Sequence, residues 1–400
     1  MIDKKFILSL KSSFLITIFS LFVFTACSDG CKSAPKLPRG KGSNSTAKGT
    51  TGKKGTAGNT EKESSKKTNT KPTPTPSNLQ KTIVLFHGLG VPEDTGISAL
   101  GKKLKNDIKD VRVMILKRPN STTVSTTQQA EEAYATLKEE LKKKDMIGSP
   151  ICLIGDSHGG LVALELYRQY KDDLNIVGIV TNHSPLEGAP GVNVDIDVVN
   201  EFKKTVRGLL TSASLFLGGL TLNPSQIDSL PLKEMLTGGI QQPLIDDLTA
   251  NSSLLNNIRA TLTSIQIPVL VLAGYADILT NIDALLGFAS QDKRFGQELS
   301  KVREQLKELQ KEKDKMEEPL KLLINGALSS LEDTFGRIIG DKRNDSFLPY
   351  YSQYAEHISV SPSVMRNPKQ GYHHFYGMQY HNEVYNDIVR FVNQAFENKK

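Results

Sequence analysis

Tryptophan is absent from the 400 residues and cysteine occurs only three times, too few for a scaffold stapled by disulfides. Cys31 stands in a stretch nearly free of large apolar side chains and Cys152 in a predicted buried strand, so a bridge between them is not expected. Long apolar runs are missing too, except for one near the N-terminal end, which argues against a polytopic membrane protein. Internal repeats are lacking. What is present is ordinary for a globular chain, 38% hydrophobic and 23% charged residues, and speaks against collagen or a coiled-coil filament. The length suits a single α/β core with insertions.

The net charge of +7 is unevenly placed. Residues 1–27 carry +2. Residues 28–80 carry ten Lys and Arg39 against Asp29, Glu61 and Glu63, or +8, which leaves −3 for 81–400. The basic character belongs to the N-terminal segments, so the compositional argument for a nucleic-acid partner falls away.

Lys4, Lys5 and Lys11 introduce the apolar run 12–26, which has the length of a secretory signal and falls short of the ~20 residues of a spanning helix. The run stops at Cys27 after Phe24-Thr25-Ala26, which resembles a bacterial lipobox with Phe24 where an aliphatic residue is usual. The resemblance implies a signal peptide over 1–26, a lipid on Cys27 and anchoring in a bacterial cell envelope, at the outer membrane. A plain signal cleaved near Ala26 implies a secreted chain instead, and an uncleaved segment implies an anchor. Residues 27–80 form a Lys/Gly/Ser/Thr/Pro tether that cannot bury enough surface to order itself. Residues 71–77 should be stiffer, with polyproline character. The tether lysines can rest on anionic head groups, and an inert spacer explains the composition equally well.

From residue 81 onward, short apolar runs alternate with helical spacings. Strands are predicted at 81–86, 111–116, 150–154, 176–180, 267–273 and, weakly, 357–360. Helices are predicted at 97–109, 125–144, 161–170 and 382–396; in the second, Ala130, Ala133, Leu137 and Leu141 recur at three and four. This alternation implies right-handed crossovers and a mostly parallel sheet with helices on both faces. Helical insertions interrupt it at about 190–265 and 278–340. The first contains the apolar piece 213–222, which suits a lid or acyl-chain wall, or a buried helix. In the second, Leu299, Val302, Leu306, Leu309 and Met316 share a face, and Pro319 predicts a helical hairpin.

Gly155-Asp156-Ser157-His158-Gly159-Gly160 stands between a predicted strand and a predicted helix. G-x-S-x-G alone is a weak pattern. In this place it describes a serine on a sharp strand-to-helix turn, where side chains at 155 and 159 would strike backbone. Such a turn lifts the Ser157 oxygen above the sheet and aims a helix N-terminus at developing negative charge. Phe86-His87-Gly88-Leu89-Gly90 follows the first body strand. With these two motifs the sequence resembles the α/β-hydrolase superfamily, and within it the bacterial triacylglycerol lipases and related esterases. The resemblance implies an α/β-hydrolase fold over 81–400 with helical cap insertions. It also implies an oxyanion hole from the amides of Leu89 and His158, with His87 structural.

A serine hydroxyl needs a base, itself oriented by a carboxylate. The resemblance implies the order Ser, acid, His, with the His beyond the last strand. Of seven histidines, 373, 374 and 381 lie there. The stretch Gly371-Tyr372-His373-His374-Phe375-Tyr376-Gly377-Met378 resembles the lipase His loop, which implies His374 as base with His373 as the alternative. Asn344-Asp345-Ser346-Phe347-Leu348-Pro349 resembles the N-D-G-h-V-P stretch (h apolar) that carries the acid, with Ser346 in place of Gly, and implies Asp345. Asp277, in Gly274-Tyr275-Ala276-Asp277 directly after a strand, competes for that role. His183-Ser184-Pro185-Leu186-Glu187-Gly188-Ala189-Pro190 resembles the family's P-H-x-G-(S/T)-P loop, and Asp247-Leu248-Thr249 with Ser252 its D-L-x-P-x-S segment. Residues 278–340 match nothing in the family.

No CxxC or HExxH motif or carboxylate cluster supports a metal site at His373, His374 and His381. No Asp follows His374 by two, where some lipases place a calcium ligand, so neither metal nor cofactor is expected. The expected activity is hydrolysis of carboxylic esters of lipids, on a lipid or small ester substrate, through an acyl-enzyme. Thioesterase, phospholipase and amidase chemistry share the machinery. The reading from another class is a catalytically silent, membrane-tethered lipoprotein that binds a partner or lipid.

Overall fold

Six strands pair side by side in a computed structural model, which describes residues 80–90, 96–217, 225–228, 232–237, 239–289 and 296–398. The expected signal segment, Cys27 and all of the tether but Gln80 lie outside the described residues. In chain order the first elements are β1 (Lys81–Phe86), α1 (Gly96–Asp107), β2 (Val111–Ile115), α2 (Thr126–Lys143), β3 (Ile151–Asp156), α3 (His158–Tyr170) and β4 (Ile176–Asn182). Then follow α4 (Ile196–Leu217), α5 (Ser225–Asp228), α6 (Leu232–Thr237), α7 (Gln242–Leu248), α8 (Ser253–Ser264) and β5 (Val269–Tyr275). The remainder comprises α9 (Ile278–Ala289), α10 (Gly296–Glu312), α11 (Glu318–Ile339), α12 (Tyr350–Tyr354), β6 (Val364–Gln370) and α13 (Asn382–Glu397). The strands lie in the order β2-β1-β3-β4-β5-β6 and every neighbouring pair is parallel.

Alternate residues of a strand face opposite sides of the sheet. Val84, Phe86, Leu153, Ile179 and Val271 meet Leu137 of α2, Leu161 and Leu164 of α3 and Ile258 of α8 on one side. Ile83, Leu85, Ile154, Val180 and Leu272 meet Leu100 and Leu104 of α1 and Val384, Ile388 and Val392 of α13 on the other. Cover on both faces is what a parallel sheet requires. Cys152 is buried in the second layer, where burial pushes its thiol pKa up and leaves it inert.

The sixth strand corrects the sequence reading. Residues 357–360 form no strand; β6 is Val364–Gln370, VMRNPKQ, paired only to β5. An edge strand tolerates Pro368 and exposed polar residues, so it carries neither the apolar run nor the alternation that marks the others.

A second apolar cluster is built mainly from helices: Phe202 and Val206 of α4, Leu279 and Ile282 of α9, Val302 and Leu306 of α10, and Leu331 and Phe335 of α11. The hairpin expected at Pro319 is present. α10 ends at Glu312, and Pro319 sits in the first turn of α11, where its missing N–H has no helical partner to lose. The 190–265 stretch divides. α4 joins this cluster, whereas Leu244 of α7 and Leu254 and Ile258 of α8 pack on the sheet-side core. Phe347 packs against both clusters. Residues 218–222 of the apolar piece 213–222 lie outside the described residues. Among the described residues no helix is long and apolar enough to cross a membrane.

Candidate active site

The C-terminal ends of parallel strands form one rim, and the motif residues collect there. Ser157 follows β3 directly and caps α3 with φ 53° and ψ −128°. A non-glycine residue at positive φ stores roughly 1–3 kcal/mol of strain unless its neighbours hold it. They do. Ser157 N donates to Asn182 O at 2.7 Å, Asn182 Nδ2 donates to Asp156 Oδ1 at 2.7 Å, and the buried Tyr372 hydroxyl donates to Asn182 Oδ1 at 3.1 Å. Two glycines permit the sharp turn. A Cβ on Gly155 would fall into the backbone of Gly159 and Gly160, and one on Gly159 would lie 2.5 Å from Phe86 O and 2.8 Å from His87 O.

His374, on the loop after β6, joins the two other candidates. Its Nε2 lies 3.0 Å from Ser157 Oγ and its Nδ1 lies 2.8 Å from Asp345 Oδ2. The Asp345 carboxylate is fully buried. Its Oδ1 accepts from Phe347 N at 3.0 Å and Leu348 N at 2.7 Å, while Oδ2 accepts also from His183 Nδ1 at 2.7 Å. His374 N donates to Asp345 O at 2.7 Å, which ties the two loops together. Ser346, standing where the family stretch has Gly, adopts φ +88°. Its hydroxyl donates to Asn281 Oδ1 at 2.9 Å and its N–H to Asn344 Oδ1 at 3.0 Å, so local hydrogen bonds offset the cost of a side chain there.

The alternatives are set aside by their contacts. Asp277 accepts from Leu279 N, Thr280 N and the Thr280 hydroxyl at 2.6–3.1 Å, so it caps α9 and orients no histidine. His373 points elsewhere than its neighbour: its Nδ1 has no partner among the described residues, and burial, with His183 nearby, lowers its pKa to about 4. His381 caps α13 through a 3.5 Å bond from Val384 N.

The other side of the serine is shaped by a buried arginine. Arg118 Nη2 donates to Gly88 O at 3.3 Å, and His87 Nδ1 lies 2.7 Å from the same oxygen. In a trans peptide the C=O and the next N–H point opposite ways, so holding Gly88 O directs the Leu89 N–H away from Arg118. Arg118 Nη1 donates to Gln129 Oε1 at 2.8 Å and to His158 Nδ1 at 3.3 Å. The His158 proton therefore sits on Nε2 and is given to Thr126 Oγ1 at 2.9 Å. Burial, then Arg118 and His87, holds the His158 imidazole well below its ordinary pKa. Burial presses Arg118 down to about 9 against the upward pull of Asp156, so it is charged at neutral pH. The His158 side chain is thus a neutral strut, and its backbone opens α3 beside Ser157.

The electrostatics of the pair have a readable sign. Burial alone would raise the Asp345 pKa, but the charge of His374 and the hydrogen bonds from His183 and His374 outweigh it and hold the carboxyl far below the usual range. Burial would lower His374; the charge and hydrogen bond of Asp345, and the charge of Asp156, outweigh that and leave it above the ordinary imidazole value. Asp345 therefore contributes stability above its unfolded pKa of ~3.9 that is lost as pH falls through the folded value. His374 contributes stability below its unfolded pKa of ~6.5 that is lost as pH rises through the folded value. A base must be neutral to accept a proton. The expected result is that log(kcat/KM) falls with slope one on the acid side of a midpoint above ~6.5, while Tm declines as pH rises through the same midpoint. Kinetic and melting profiles from pH 5 to 9 check both; coincident optima for activity and Tm would contradict the assignment.

His183, Asp345 and His374 also bring three possible ligand atoms within 4.8 Å of one another. Each is engaged as donor or acceptor to another of the three, and that network accounts for their proximity without a metal. Arg118 was not singled out from sequence, and His183 only as the first residue of a stretch resembling a family loop, with no role given to it. Their signal was position: each follows a strand at the same rim as Ser157.

An all-parallel sheet, a serine on the β3–α3 turn and an acid and histidine after β5 and β6 define the class: the chain has the α/β-hydrolase fold. A family model described as serine aminopeptidase, S33, matches residues 118–312, a span that includes Ser157 but neither Asp345 nor His374. No curated protein matches the chain. Phospholipase PlaB from Legionella pneumophila is similar at 12% identity over 49% of this chain and 39% of its own, with a TM-score of 0.35. The present chain thus spans about two fifths of the length of that phospholipase. The monoacylglycerol lipase of Paleococcus ferrophilus is similar at 17% identity over 78% of this chain and 94% of its own, TM-score 0.37. The proline iminopeptidase of Mycobacterium smegmatis is similar at 12% identity over 80% and 92%, TM-score 0.39. At these values none of the three bears on what this chain acts on.

Proposed function

We propose that this protein is a serine hydrolase that cleaves carboxylic esters of lipids through an acyl-enzyme. The reading includes a lipid on Cys27 that holds it in a bacterial cell envelope. One observation carries the chemistry: the unbroken relay from Ser157 Oγ through His374 to Asp345 at 3.0 and 2.8 Å. Ser157 attacks the acyl carbonyl as its proton passes to His374 Nε2. Asp345 holds the ring and stabilises the imidazolium, and the amides of Leu89 and His158 receive the oxyanion. Collapse returns the proton from His374 to the departing alcohol. Water then gives a proton to His374, its oxygen attacks the acyl carbon, and the acid leaves as Ser157 recovers its hydrogen.

The apolar preference is supported by a row of rings beside the imidazole. Phe347 stacks on His374 at 5.3 Å, Phe375 lies 6.0 Å from Phe347, and Phe288 stacks on Phe375 at 4.7 Å. Phe288 is 40% exposed, so the row runs from the reacting atoms to the surface. Each acyl CH₂ covered there is worth up to ~0.8 kcal/mol, roughly fourfold in kcat/KM. A panel of p-nitrophenyl esters from acetate to decanoate, with acyl-thioesters and aminoacyl and prolyl anilides, tests the reading. Rising kcat/KM with chain length and little anilide turnover are expected. Anilide turnover exceeding every ester points to a peptidase, and no turnover with any substrate points to a silent binding protein; either sinks the proposal.

A further inference from the structure

No step above uses the proton on His183. This residue is fully buried, and its Nδ1 lies 2.7 Å from Asp345 Oδ2 and 2.9 Å from Gln353 Oε1. Gln353 Oε1 also accepts from Gly274 N at 2.9 Å, while its Nε2 donates to Leu348 O at 3.0 Å. The amide is therefore locked with its oxygen toward His183. Two acceptors facing one ring nitrogen require the hydrogen there. The opposite nitrogen, Nε2, is buried with no partner among the described residues.

The surroundings are built around that ring. His183 adopts φ +47°, its N–H is held by Leu272 O at 3.0 Å, and the Tyr372 ring lies 4.2 Å away. Gly274 leaves space for two neighbours: a Cβ there would come within 2.1 Å of Tyr372 O and 2.5 Å of His183 Cε1. The carboxylate and a locked amide converge on a single N–H. A ring that merely filled core volume would not need the two acceptors at Nδ1.

We propose that His183 is a positioning residue of the relay, a second imidazole donor on Asp345 Oδ2 that fixes the carboxylate and limits its pull on the His374 proton. The proposal rests on the reading of Ser157, His374 and Asp345 as the catalytic relay. Oδ2 is shared between donors at 2.7 and 2.8 Å, and each donor draws on the same electron density. With His183 gone, that oxygen serves His374 alone and holds the imidazolium more tightly. The groups that face His374 and its neighbours are Asp345 before β6, Asp156 at the end of β3, His183 at the end of β4, and Tyr372 and His373 on its own loop; Asp283 of α9 acts on His373.

The test compares full-length wild type with His183→Phe and His183→Asn, each with ¹⁵N-labelled histidine. Phe keeps ring volume without the donor. Asn places an amide N–H near the Nδ1 position and tolerates positive φ. Of the hydrogen-bonded ring N–H protons in wild type, two should lie farthest downfield, those that His374 and His183 direct at the Asp345 carboxylate, and His183→Phe should lose the second. In that variant the His374 titration midpoint and the acid limb of kcat/KM should both move to higher pH, by about half a unit or more, with KM for a short ester within about twofold. His183→Asn should return both toward wild type. If Phe at positive φ does not fold, His183→Ala carries the same comparison. A lower kcat with an unmoved His374 midpoint in a folded variant overturns the proposal, as does a wild type with a single downfield ring proton. The titration is read without substrate, so an inert wild type would sink the hydrolase reading and leave the His183 comparison decisive.

Discussion

Ser157→Ala is expected to lower kcat for a soluble ester by about 10⁴-fold or more, with KM nearly unchanged and the protein folded. The substitution removes only Oγ, the atom 3.0 Å from His374 Nε2. It leaves the His374–Asp345 bond at 2.8 Å, the Ser157 N–H bond to Asn182 O and the φ of the turn in place. Alanine at φ 53° is no worse strained than serine, so Tm should shift by the equivalent of about 1 kcal/mol or less. The residual rate is that of water attack on a carbonyl still positioned against the Leu89 and His158 amides. Steady-state kinetics with a melting curve on the same sample separate loss of chemistry from loss of fold. Retained turnover in Ser157→Ala would refute the nucleophile.

Gly155→Ala, one methyl group, should be nearly as damaging by a different route. Its Cβ would meet the carbonyl of Gly159 and the nitrogen of Gly160, both backbone atoms. No rotamer change relieves such a contact. The first turn of α3 must move, and with it Ser157 and His158. Expected is a destabilisation of about 3 kcal/mol or more, with kcat reduced at least about a hundredfold in whatever folds. Gly326→Ala is the control. Gly326 lies exposed in α11 with nothing within 4 Å of an added Cβ, and alanine there should stabilise by up to about 1 kcal/mol. Denaturant melts of the two variants check the contrast; equal effects would mean that the close approach at the serine turn is not what the geometry describes.

The features legible in the sequence are those specified by local chemistry. The turn at Ser157 needs glycine at 155 and 159 wherever it occurs, so the motif announced both strand and helix. Asp345 and His374 stand in stretches whose place along the chain the family resemblance implied, and the structure joins His374 to the hydroxyl and Asp345 to His374, with Asp277 and His373 left out. Less legible is whatever depends on partners distant in the chain. β6 has no strand on one side, which permits Pro368 and polar residues there, although β2 at the opposite edge keeps an apolar run. Apolar periodicity gives a helix a buried face without saying what covers it, so α4 and α8 looked alike although α4 packs in the cap and α8 on the sheet. His183 opens a loop that resembles the family's, but nothing local gives it a role until the fold carries it to Asp345. Arg118 looks like the polar end of a strand until Gly88 and His158 close around it.

Reaction of the full-length protein with a fluorophosphonate, followed by mapping of the modified peptide, tests the relay most directly. Phosphorus chemistry of this kind requires an activated hydroxyl beside oxyanion donors and is indifferent to the acyl chain or head group the enzyme prefers. The predicted result is a single adduct on Ser157, lost in Ser157→Ala and slowed at least about a hundredfold in His374→Ala. An unmodified Ser157 in folded wild type, or labelling undiminished without His374, would contradict the account.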